Sequence, residues 1–285
     1  METITNREFG GERPLYRSEN TQLDHVTIHE GESSLKECRN ISADDCRFEG
    51  KYVFWENDGV TCTKCYFAPS ARASFWYSGN ISIHDCIVDA PKFFRRARHI
   101  HIDNVQIPHA EETFWDCSDI HIADSRIAEA DYLFMHSSDI RIRNYRQDGN
   151  YSFQYAANVE ISNAVINSKD SFWESENCTL IDCEINGEYL GWYSRNMRLV
   201  RCHITGKQPL CYCSNLILED CTFGEDCDFI LEYSTVQATI KGFVQSIRNP
   251  TSGSITVDEC PEIIINNYRK SPADCRIIVN NDNKL

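Results

Sequence analysis

The stretch Gly79–Val88, GNISIHDCIV, decides the fold. Ile81 and Ile83 alternate with Ser82, Cys86 and Val88 alternate with Ile87, and the polar pair His84 and Asp85 lies between the two runs. Apolar residues at every second position over such short runs describe strands with one hidden face; a helix would repeat them every three or four positions. Asn, Asp and Gly at the joins are residues that tolerate a left-handed backbone or hydrogen-bond their own main chain in a turn.

The phrase returns along the chain. RNISADDCRF ends at Phe48, SDIHIADSRI at Ile127, ANVEISNAVI at Ile166, ENCTLIDCEI at Ile185, RNMRLVRCHI at Ile204 and SNLILEDCTF at Phe223. Its second position holds Asn20, Asn40, Gly59, Asn80, His99, Asp119, Asp139, Asn158, Asn177, Asn196 and Asn215, in steps of 19 to 21 residues. A period this short, with two or three strands and no helical segment per unit, predicts an all-β solenoid: one right-handed parallel β-helix of 11 or more rungs with capped ends. Residues 1–14 read as an N-terminal arm or cap, 15–233 as regular rungs, and 234–285 as irregular final rungs and a C-terminal cap, all one domain.

Stacked rungs turn equivalent positions into columns about 4.8 Å apart. The column Cys46, Cys65, Cys86, Val105, Ser125, Tyr145, Ala164, Cys183, Cys202, Cys221 reads as small core residues, with a metal site or redox pair as the alternative. Asp85, Asn104, Asp124, Asn144, Asn163 and Asp182 read as a turn ladder, with calcium between stacked aspartates as the alternative. No closed zinc spacing is written, so neither metal nor cofactor is expected.

A net charge of −15 argues against nucleic acid as the main partner, because phosphate binding needs a basic field. The N-terminus has no apolar run of a secretory signal, and no segment has the 18 or so apolar residues that would span a membrane. These features lead to an expected cytoplasmic address, where the 15 cysteines stay reduced.

With the repeat laid out, the chain resembles an uncharacterised bacterial family, domain of unknown function 3737. GESSLKECRNI (31–41), ARASFWYSGNI (71–81), PKFFRRARHI (91–100), AEETFWDCSDI (110–120), SKDSFWESENC (168–178), GEYLGWYSRN (187–196) and LCYCSNL (210–216) carry the resemblance. It implies a right-handed β-helix of the pectin-lyase-like kind. No activity, and so no catalytic residue, comes with it; many proteins of that wider fold act on polysaccharides, but a fold does not specify a function.

The candidate site lies around a recurring Phe-Trp pair. The column Phe54, Phe75, Phe94, Phe114, Phe134, Phe153, Phe172 is apolar and is placed inside. The next column, which includes Trp76, Arg95, Trp115, Trp173 and Trp192, is placed at the edge, with a corner or bulge after it; the reverse, Trp inside and Phe outside, stays open. The third column, with Tyr77, Arg96 and Tyr193, must be solvated. Tyr132, Asp170, Glu188 and Tyr189 stand just before the Phe. One reading makes the charges here inter-rung ion pairs, worth little singly. The other makes Trp76, Tyr77, Arg95, Arg96, Trp115, Tyr132, Asp170, Trp173, Glu188, Tyr189, Trp192 and Tyr193 a binding surface for an oligosaccharide or other polar small ligand: rings offer apolar area and charges bind hydroxyls. A carbohydrate-active enzyme, hydrolase or lyase, would use Arg72, Lys92, Glu111, Glu112 and Asp131, since carboxyls one rung apart suit glycoside hydrolysis. A scaffold or homo-oligomer that buries the aromatic face is the third reading. His84, His101 and His121 read as plain outward polar residues.

Overall fold

The computed structural model describes residues 2–266 and 274–280. Among them every regular element is a β-strand and the strand pairings are parallel, giving about 14 turns of a β-solenoid. The expected register is realised. Gly79–His84 lies between Asp58–Thr63 and Arg98–Asp103, so Ile81 sits between Val60 and Ile100, and Ile83 between Cys62 and Ile102. Between the two runs of each coil stands one left-handed residue, with φ of 54° at Asp85, 52° at Asn104 and 50° at Asp124. Short polar side chains suit that conformation because they bond locally and clash little.

The chain divides into two compact units, residues 1–149 and 150–285. In the first, Glu2–Thr5 pairs with Glu19–Asp24, and Glu8–Glu12 with Thr27–Glu32. The segment expected as an arm therefore forms a coil of the same two-strand form. In the second, Thr235–Phe243, Ser252–Glu259 and Asp274–Val279 continue the parallel pairing, with register shifts between Leu218 and Cys221 and between Ile240 and Phe243. A cap built from 267–273 or 281–285 lies outside the described residues.

Phe is inside. In the first unit Phe54, Phe75, Phe94, Phe114 and Phe134 are fully buried and stack ring on ring, with neighbouring centroids 4.6 to 5.5 Å apart. In the second unit Phe153 stacks on Phe172 at 4.6 Å, and then Gly191, with φ of 68°, takes the next place in the column. A Cβ at Gly191 would come within 3.1 Å of Leu210 and 3.2 Å of Met197, which fill the room a ring would have taken.

The cysteine column is buried and its thiols are free. Elsewhere in the core, burial raises the thiol of Cys38 to about 11 and that of Cys117 to about 12, the behaviour of an inert apolar side chain. No group of three or more His, Cys, Asp or Glu among the described residues is arranged to hold a metal ion. The Asp/Asn column forms inter-coil bonds: Asn104 donates to Asp85 at 2.6 Å, Asn144 to Asp124 at 2.7 Å, and Arg201 grips both oxygens of Asp182.

A buried serine three positions after the Phe, or after Leu231 in the second unit, has its own task. Ser78 accepts the Asn57 N–H at 3.0 Å and donates to the Phe54 carbonyl at 2.7 Å. Ser137 does the same for Cys117 and Phe114, and Ser234 for Cys213 and Leu210. Each hydroxyl satisfies one donor and one acceptor that the corner would otherwise leave buried and unpaired.

Candidate functional site

The Phe-Trp segment ends where the backbone turns left-handed. Tyr77, Arg96, Asp116, Glu174 and Tyr193, each directly after the Trp column, have φ between 49° and 61°. That turn breaks strict alternation, so Phe points in, the Trp column lies half-buried along the edge, and the third column projects into solvent. Tyr77 and Tyr193 are 42% and 46% exposed, the degree a contact surface needs.

The Trp rings also hold the fold. Trp76 Nε1 donates to the Lys92 carbonyl at 2.7 Å, Trp115 Nε1 to that of Tyr132, and Trp192 Nε1 to that of Gln208 at 2.7 Å. Gln154, in the same column, donates its amide to the Asp170 carbonyl at 3.2 Å. The receiving residues Lys92, Tyr132, Asp170 and Gln208 are all left-handed, so each indole or amide caps a turn in the coil above.

In the first unit this edge is closed by its own charges. The Arg95 guanidinium lies between Trp76 and Trp115, 4.5 and 4.6 Å from their centroids. Glu112 binds Lys92 at 3.0 Å with one oxygen and Arg95 at 3.1 Å with the other. Arg96 reaches Asp116 at 3.7 Å and lies over Tyr77. Of the five residues that would carry catalysis, Lys92 and Glu112 are thus bound to each other. Glu111 is exposed and Asp131 half-buried. Arg72 lies over Tyr52 and lines a shallow cleft of about 620 Å³ with Glu12, Glu32, Glu49 and Lys51; neither Glu111, Glu112 nor Asp131 lines it.

In the second unit the equivalent edge is open. Trp173 and Trp192 stack at 5.4 Å, Tyr189 meets Trp192 edge-on at 5.1 Å, and Tyr193 stacks on Tyr212 at 4.7 Å. Beside these rings stand Lys169, Asp170 and Glu188. Lys169 lies 5.1 Å from the Tyr151 ring centre. The Asp170 carboxylate is half-buried and takes no hydrogen bond from a described residue; burial holds its pKa above the ordinary range, against a lowering by the Lys169 charge and with a further rise from Glu188. Glu188, one coil on, has no ion pair among the described residues.

The sequence placed all twelve binding-surface residues on or beside this edge, and the structure brings them together in two separate groups, one per unit. The sequence left open whether these charges pair across rungs, and it did not show that the pairing would hold in the first group alone. The opposite charges of Lys92, Arg95 and Glu112 at equivalent or adjacent positions of neighbouring rungs were the available signal.

Fold and edge define a β-solenoid that displays a ladder of half-buried indoles and solvent-facing tyrosines. The chain belongs to the DUF3737 family, proteins of unknown function, which matches residues 2–278. No curated protein matches it significantly. Similar solved structures include QnrB1, a plasmid-mediated fluoroquinolone resistance protein, at 12% identity over 82% of this chain and 91% of that one, with a TM-score of 0.26. HetL, a pentapeptide repeat protein involved in heterocyst differentiation regulation from the cyanobacterium Nostoc sp. strain PCC 7120, matches at 9% over 81% and 86%, with 0.23. The A-module of the Azotobacter vinelandii mannuronan C-5 epimerase AlgE4 matches at 12% over 97% and 87%, with 0.25. Likenesses this loose decide nothing about activity.

Proposed function

We propose that this protein is a ligand-binding β-helix, pectin-lyase-like in form, that takes a carbohydrate on the edge of its second unit. The observation that carries the reading is the half-buried Asp170 carboxylate, without a hydrogen-bond donor among the described residues and within the fields of Lys169 and Glu188, on the edge that also carries Tyr189 and Trp192. Carboxylates accept hydroxyl hydrogen bonds strongly, and ring edges cover the apolar faces between hydroxyls. A half-buried carboxylate left without donors has a desolvation cost that a hydroxyl-rich ligand would offset. The matching charges of the first unit are already satisfied by one another and offer a ligand less.

One observation favours a second reading, an interaction scaffold. The indole faces are covered by neighbouring rings or by Arg95, so they offer edges rather than open platforms. A glycan-panel screen followed by calorimetry separates the two. Binding is expected to weaken at least roughly tenfold, the loss of one charge-assisted bond, in Asp170→Asn, which keeps the turn's left-handed tolerance, and in Glu188→Gln. Glu112→Gln is expected to leave it unchanged. If no glycan binds, or if Asp170→Asn binds as well as the parent, the carbohydrate reading fails; a defined dimer in light scattering would then support the scaffold.

A further inference from the structure

Eight of the nine histidines fall in the first unit, and only His203 in the second. Three of the eight are held between two carboxylates. His25 Nδ1 is 2.7 Å from Asp24 and its Nε2 3.1 Å from Asp45. His29 Nε2 is 3.1 Å from Glu8 and its Nδ1 3.2 Å from Glu49. His109 contacts Asp89 through Nδ1 and Glu129 through Nε2 at 3.5 Å.

A neutral imidazole carries one N–H. It can donate to one carboxylate only, and its other nitrogen then faces the second carboxylate lone pair to lone pair. An imidazolium donates to both. The geometry of all three sites therefore suits the protonated ring. The carboxylates come from different coils: Glu8 belongs to the first coil, His29 to the second and Glu49 to the third, and Asp89, His109 and Glu129 likewise belong to three successive coils.

We propose that the first unit is clamped by protonation: imidazolium at His25 and His29 ties successive coils together in mild acid, and loss of those protons loosens the first coil, residues 2–12. That coil is lightly held. Among the described residues its strands pair with Glu19–Asp24 and Thr27–Glu32 alone, and its own residues are exposed or half-buried. The His29–Glu8 contact is a side-chain tie across that junction. Fraying there would bare the strands at 19–24 and 27–32 as a parallel pairing edge.

Other charges face these rings as well. Asp44 adds to the field at His25. Arg47 shares Glu49 with His29 at 2.6 Å, and the Tyr66 hydroxyl donates to Asp89 at 3.2 Å. The net field at His25 and His29 stays negative, and hydrogen bonds to Asp24, and to Glu8 and Glu49, hold these two rings above the ordinary histidine range. A group raised in the folded state contributes stability that is full below its unfolded value, about 6.5, and lost as pH rises through the folded value. Glu49 is lowered, by Arg47 and then His29, so its contribution is lost as pH falls below the ordinary carboxylate value, about 4.3. The clamp at His29 is thus strongest between those two limits.

Hydrogen exchange on the full chain at about pH 5.5 and about pH 8, corrected for intrinsic rates, tests this. Protection of 2–32 relative to 176–223 is expected to fall at least roughly threefold at the higher pH, and to become pH-independent in His25→Gln/His29→Gln. In parallel, NMR titration is expected to place both imidazoles above about 6.5. A ratio unaffected by pH, or midpoints at or below that value, would overturn the proposal. A double variant that keeps the parent's pH response would overturn it as well.

Discussion

The two units answer the same backbone demand with different side chains. At the left-handed position that opens each coil, the second unit writes Asn158, Asn177, Asn196 and Asn215, and the last three donate their amides each to the one before at 3.1, 2.9 and 3.0 Å. The first unit writes Asn20, Asn40, Gly59, Asn80, His99, Asp119 and Asp139 there. Its links are mixed: Asn40 to Asn20 at 3.1 Å, Asn80 to Asp58 at 2.5 Å, His99 to Asp119 at 2.7 Å. An amide chain does not titrate, whereas His and carboxylate pairs do. The contrast runs inward too, where the first unit has five stacked Phe rings and the second breaks its stack at Gly191. At the edge it reverses. The first unit is electrostatically closed and the second leaves Asp170 and Glu188 free to meet something else. Regularity in the ladder and openness at the edge thus go together in the second unit, and the first unit joins a heavier core to titratable seams.

The largest expected effect probes the core. Phe114→Ala removes a ring stacked between Phe94 and Phe134 at 4.6 and 4.8 Å, and is expected to cost about 3–5 kcal/mol in urea unfolding. Leu210→Ala, in the same column of the second unit, is expected to cost about 2–4 kcal/mol, because Gly191 and the flexible Met197 beside it let the site relax. Equal costs would mean that the Phe stack adds nothing beyond burial, and would erase the interior half of the contrast.

A middle-sized effect should be blind to the contrast. Ser137→Ala and Ser234→Ala each strand one buried N–H and one carbonyl, at about 1–3 kcal/mol. Both are expected to fall in that range in the same unfolding assay. A cost confined to one unit would show that the corner is built differently in the two, against the identical bonding seen around both serines.

What could be read from the chain was whatever repeats at its period. Ile81, Ile83, Cys86 and Val88 gave the strands, and the cysteine column gave the core. Phe and Trp could not be oriented from sequence, because the left-handed residue after the Trp, as at Tyr77, stops the alternation on which orientation rests. The serine bonds were hidden for another reason. Ser78 acts on residues 21 and 24 positions away, and nothing in its local sequence distinguishes it from a small core filler. The indole caps were hidden likewise, since Trp76 serves a carbonyl 16 residues on. The histidine brackets were legible in principle: offset by one coil, His29 falls against Glu49 and His109 against Glu129. Reading each column for hydropathy alone passed over them.

The smallest effect goes to the ladder itself. His99 sits at φ of 55° and bonds Asp119 through Nδ1. His99→Asn would place there the residue type that the second unit uses throughout. Asn tolerates the left-handed backbone better, a gain on the order of 0.5 kcal/mol. Its amide can donate to Asp119 as Asn80 donates to Asp58. The variant is therefore expected to match or slightly exceed the parent in urea midpoint. Loss of stability in the variant would mean that the ring contributes packing that an amide cannot replace, and that the two units' ladders are not interchangeable.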